Sequence, residues 1–100
     1  MGKFENICAE LITYSGTAKS SYIEAISLIK ENKVEEAEKE LKLASECTLK
    51  AHEIHFELIR GNYTPSNSIE NLLLIHAEDQ LANNEVIEIL SKEIIEIYQC

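Results

Sequence analysis

Only two places in this 100-residue chain are built to turn. One is Glu31-Asn32-Lys33; the other is Gly61-Asn62-Tyr63-Thr64-Pro65-Ser66-Asn67, which holds the single proline. With one Pro and three Gly in all, a many-stranded sheet would lack the turns it needs. What remains is three segments of roughly 28 residues, each about 40 Å long if helical. The punctuation predicts helices over 3–31, 34–60 and 68–98 within a single domain, 1–100. Connections this short predict an all-α, antiparallel up-down-up three-helix bundle.

Periodicity supports each segment. Phe4, Cys8, Leu11, Ser15, Ala18, Tyr22, Ala25 and Ile29 recur at alternating steps of four and three, which is one helical face. Gly16 interrupts that helix and is expected to cost about 1 kcal/mol against alanine unless something packs close to its backbone. Asn32 suits the left-handed residue that ends a helix, and Gly61 suits the same role for the second. Ala37, Ala44 and Ala51 form a small-residue seam on the second segment that lets a neighbouring helix come close. Glu35 and Glu36 suit its first turn, where negative charge complements the helix dipole. Asn67-Ser68-Ile69-Glu70 reads as a capping-box-like start for the third.

The net charge of −9 argues against nucleic acid or an anionic membrane as a partner, since both would be repelled. No apolar run approaches the roughly 20 residues a bilayer span needs. The N-terminus has no signal-peptide core, so a cytoplasmic protein is expected, with no membrane insertion. Three cysteines without paired spacing are expected to be reduced thiols, Cys8 and Cys47 in the core and Cys100 at the end. His52 and His55, three apart, have a spacing that suits two metal ligands but lack a third. The run Glu35 to Glu40 reads as a solvated face.

The third segment is the unusual one. With His76 set at zero and about 100° per residue, Ile69, Leu72, Leu73, Ile87, Leu90, Ile94 and Ile97 lie within about 60° of it. Leu74 and Leu81 fall on the opposite side, and Ile75, Ala82 and Val86 on a flank. A helix apolar nearly all round is buried on more than one side, so self-association with this helix at the centre is expected. His76, Asp79, Gln80 and Asn83 stand on that stripe at helical spacing, where buried polar groups are costly unless partnered. Either they form a register-fixing polar network or they form a site. Asp79 is the lone Asp against seventeen Glu. On an oligomer axis its copies would converge and call for a proton or a hard cation such as Mg²⁺, whereas off the axis it would serve an interhelical hydrogen bond. His76 is the catalytic candidate, because imidazole can act as base, ligand or nucleophile near neutral pH.

The segment Leu72-Leu73-Leu74-Ile75-His76-Ala77-Glu78-Asp79-Gln80-Leu81 resembles the signature of the lactose/cellobiose-type enzyme IIA of the phosphoenolpyruvate-dependent sugar phosphotransferase system, aliphatics followed by His-Ala-Gln-Asp-His-Leu. Tyr14-Ser15-Gly16-Thr17-Ala18-Lys19-Ser20 is similar to that family's Ala-Gly-x-Ala-Arg-Ser stretch, and Glu35-Glu36-Ala37, Ala51-His52 and Glu93-Ile94-Ile95-Glu96-Ile97-Tyr98 agree in order. The resemblance implies a homotrimer around the third helices. It also implies a histidine that accepts a phosphoryl group from the carrier protein HPr and passes it to a cysteine of enzyme IIB, for sugar uptake. By position, His76 would be the phosphorylated residue and Asp79 the carboxylate meeting its symmetry mates around a metal ion, with Mg expected.

Two departures stand out: Glu78 replaces the Gln after His-Ala, and Gln80 replaces the second His. A carboxylate beside a phosphoryl group would repel it where an amide would donate. Three readings follow: a phosphocarrier, a trimeric interaction or regulatory module that has lost transfer, and a helical oligomer whose polar layer only fixes register.

Overall fold

The computed structural model describes residues 2–61 and 63–99. It contains α1 (Lys3–Lys30), α2 (Val34–Ile59) and α3 (Ser68–Gln99) in a rod of 50 × 20 × 18 Å. Helix ends follow from local chemistry. At the end of α1, Asn32 takes a left-handed φ of 62°, so Lys33 N–H can donate to Leu28 O at 2.8 Å and Asn32 N–H to Ile29 O at 3.0 Å. That is the paired closure of a Schellman ending. Gly61, with φ 81°, ends α2, its N–H donating to Leu58 O at 3.1 Å. At the start of α3, Asn67 Oδ1 accepts from Glu70 N–H at 2.9 Å. The Glu70 carboxylate reaches one residue further back than a standard capping box and accepts from Ser66 N–H at 2.7 Å.

The chain runs up, down and up. The start of α1 (Phe4, Cys8, Leu11) packs with the end of α2 (Ala51, Ile54, Leu58) and the early part of α3 (Ala77, Leu81). The end of α1 (Ala25, Leu28, Ile29) meets Ala37 of α2 and Ile95 of α3. Between these lies a cluster of Ala18, Tyr22, Ala44 and Cys47. Every residue of the α1 stripe is buried, and so is the Ala37–Ala44–Ala51 seam, at 0% exposure. The helix α1 serves as the hub, packing along both others, while α2 and α3 touch only sparsely.

Cys8 and Cys47 are free and buried, and burial pushes both thiols up, so neither is poised as a nucleophile. Cys100 lies outside the described residues. Two polar bridges join helices, one buried and one partly buried. Asn84 Nδ2 donates to Thr48 Oγ1 at 3.1 Å, and Tyr22 O–H donates to Glu88 Oε2 at 2.6 Å.

The third helix packs only one of its two apolar sides against the protomer. The face it presents to the protomer is Ala77, Leu81, Asn84, Ser91 and Ile95, not the stripe that contains His76. Ala77 and Ser91 are small enough to let α3 approach the hub closely, while Asn84 is buried with its amide bonded to Thr48 of α2. The long aliphatics point outward instead.

Two predictions follow from the packing. No atom lies within 4 Å of a Cβ built on Gly16, so Gly16→Ala should raise unfolding free energy by up to about 1 kcal/mol in urea melts. Burial and the bond to Glu88 push the Tyr22 phenol up to about 12. The folded state therefore holds its proton where the unfolded chain, near 10, has released it, and stability falls as pH rises from 10 to about 12. Tyr22→Phe should cost about 1–2 kcal/mol at neutral pH and remove this residue's share of the alkaline loss.

Candidate functional site

Helix α3 carries its candidate residues at mid-length, on the side away from α1. His76, Asp79 and Asn83 are exposed and Gln80 is half-buried. This stripe faces away from the rest of the protomer. Ile69, Leu72, His76, Asp79, Asn83, Val86, Leu90 and Ile97 follow one another at heptad steps along it. The aliphatic members are wide open, with Ile69 76%, Leu72 66%, Leu90 52% and Ile97 71% exposed. Leu74 and Leu81, on the far side of the helix, pack into the protomer core. One protomer thus has an apolar seam with a polar break at its centre and nothing of its own to cover it.

Exposed large apolar residues gathered into one stripe signal an interface, because a lone soluble chain rarely keeps so large an apolar patch in water. His76 is accessible from that side. A surface hollow lined by Ile12, Thr13, Gly16, Lys19 and Ser20 lies along α1 and does not include it.

The two other histidines sit on α2 and each faces an acid of α3, His55 at hydrogen-bond distance and His52 at longer range. His55 Nε2 is 2.7 Å from Glu78 Oε2, and His52 Nε2 is 3.7 Å from Glu85 Oε1. Sequence spacing placed the two histidines together but gave no sign of the acids, which come from another helix 23 or more residues away in sequence. Among the described residues, no three His, Cys, Asp or Glu side chains gather closely enough to hold a metal ion. Within one chain, neither the His52/His55 pair nor Asp79 belongs to such a group. None of the described helices is long and apolar enough to cross a membrane. Asn84 was not singled out by sequence reasoning; its one signal was its place in the series 77, 84, 91.

Known proteins agree with this arrangement. Residues 6–99 match the family model for the lactose/cellobiose-specific IIA subunit of the phosphotransferase system. The chain is 36% identical over 97 residues to the lichenan-specific phosphotransferase enzyme IIA component of Bacillus subtilis, covering 97% of this chain and 88% of that protein. It is 34% identical over 95 residues to the oligo-beta-mannoside-specific EIIA component of the same organism, covering 95% and 86%. Among solved structures, the cellobiose-specific enzyme IIA of Bacillus anthracis superposes with a TM-score of 0.85 at 36% identity, over 99% of this chain and 91% of that one. With an all-helical up-down-up protomer and a match along nearly its whole length, this chain belongs to the lactose/cellobiose-specific IIA family of the phosphotransferase system.

Proposed function

We propose that this chain is a histidine phosphocarrier, accepting a phosphoryl group from HPr on His76 and passing it to enzyme IIB for uptake of a sugar. The observation that carries the reading is the accessible imidazole of His76 at the polar break of the outward apolar stripe. In the acceptance step a ring nitrogen of neutral His76 attacks phosphorus, the bond from phosphorus to the donor breaks, and the phosphoramidate forms. Such transfer depends mainly on in-line positioning and on managing charge around a loose transition state. With a net charge of −9, the chain supplies little positive charge of its own, so donor and acceptor would bring much of the complement. Sugar is never touched by this component, and its place of work is the cytoplasm.

The same reading makes the functional unit a homotrimer. Three copies of the α3 stripe would bury Ile69, Leu72, Val86, Leu90 and Ile97 against one another, heptad residues of one face meeting around an axis. Asp79 lies on that stripe, so three carboxylates would converge, and they repel unless neutralised. Oxygen donors of this kind fit a hard divalent cation, Mg²⁺ by preference, with water completing its shell. The ion would neutralise the axis, and His76 would carry out the transfer.

Phosphorylation by phosphoenolpyruvate, enzyme I and HPr should add one acid-labile phosphoryl group by intact mass to wild type and none to His76→Ala. No gain on wild type, with donors that phosphorylate another family member, would replace the phosphocarrier by a non-transferring module. Chelation by EDTA should lower the melting temperature of wild type, and Asp79→Asn should abolish that sensitivity. A wild type indifferent to EDTA and free of one metal ion per three chains would remove the axial cation from the account.

A further inference from the structure

Where α3 passes α2, Glu78 does not point freely into solvent. His55 Nε2 lies 2.7 Å from its Oε2, with the imidazole 22% and the carboxylate 46% exposed. An ionised carboxylate only accepts, so the ring nitrogen must donate, at the length of a charge-assisted bond. The seam between the two helices is also pinned by the buried Asn84–Thr48 bond and by His52 against Glu85, so His55 is not its sole tie.

On α3, Glu78 is about 160° around the helix from His76, so it does not face the imidazole of its own chain. The centre of the outward stripe lies about 40° from the His76 direction, on the side of Leu72 and Leu90. In a parallel assembly through that stripe, each His76 therefore leans off the axis toward one neighbour. That neighbour offers the flank of α3 bearing Ile75, Ala82 and Glu78, and residues 76 and 78 differ in height by only about 3 Å. His55 arrives with Glu78, since the two are bonded within one chain.

We infer that His55 is a positioning residue for phosphoryl transfer: its hydrogen bond ties the Glu78 carboxylate back against α2, so that a phosphoryl group on the neighbouring subunit's His76 does not meet a free-swinging anion. The inference rests on the phosphocarrier reading and its trimer. Without His55, the carboxylate is free to swing into the crevice and oppose an incoming group that carries close to two negative charges. His55 touches neither phosphorus nor its donor; it acts through Glu78. The carboxylate at position 78 and the imidazole at position 55 thus form one functional unit, and removing the acid should relieve the need for the base.

The test is a two-residue cycle read as the rate of phosphoryl acceptance from HPr. His55→Ala should slow acceptance about tenfold, the effect of an untethered charge at crevice range. The double variant, His55→Ala with Glu78→Gln, should recover to within about twofold of wild type. His55→Leu fills similar space without a donor and provides the same comparison if alanine loosens the seam, as melting curves would reveal. A purely structural tie gives the opposite pattern, in which losing both partners is no better than losing one. A His55→Ala rate equal to wild type, or a double variant as slow as His55→Ala, overturns the inference and leaves the phosphocarrier standing. A wild type that gains no phosphoryl group overturns both.

Discussion

Everything distinctive about this molecule follows from how α3 divides its two faces. Toward the hub helix it presents Ala77, Leu81, Asn84, Ser91 and Ile95, mostly small or polar, which allows close approach but buries little apolar area. Away from the hub it presents Ile69, Leu72, Val86, Leu90 and Ile97. At roughly 25 cal/mol per Å² of apolar surface, leaving such side chains in water forgoes on the order of 1.5–3 kcal/mol each. The protomer folds around α1 and leaves this second apolar face outside it.

The polar break gains its meaning from that face. On an ordinary solvated face, His76, Asp79 and Asn83 would be unremarkable surface residues. Placed in an apolar heptad stripe, they are polar groups that assembly would enclose, and enclosure is costly without partners. An imidazole at the edge of such a layer stays reachable while its surroundings are shielded, which suits a group that must accept and release a phosphoryl group and resist water in between. Glu78 is the departure from the family pattern at this place, and its bond to His55 gives the departure a local partner.

Much of this was legible in the sequence. The α1 stripe from Phe4 to Ile29 is buried at each of its eight positions, because a four-three alternation leaves little choice of face. Asn32 and Gly61 take the left-handed conformation expected of residues that end helices. Asn67 caps α3 as its side chain suggests, although Glu70 bonds to Ser66 and not to Asn67. The orientation of α3 was not legible from hydrophobicity. The helical wheel puts apolar residues on both sides of α3 and gives no rule for which side the protomer keeps; it keeps the 77, 84, 91 series with Leu81 and Ile95 and leaves the bulkier side outside. That series repeats the logic of Ala37, Ala44 and Ala51 on α2, so the signal was present. Contacts between helices, such as His55–Glu78, His52–Glu85 and Asn84–Thr48, have no local signature, since a single helix shows only which residues share a face.

The most direct test of the account is the mass of the untagged protein in solution by sedimentation equilibrium. Association through the α3 stripe predicts a species of about 34 kDa, three chains of 11.3 kDa, over the working concentration range. A stable 11.3 kDa monomer that keeps Leu72, Leu90 and Ile97 in water would contradict it.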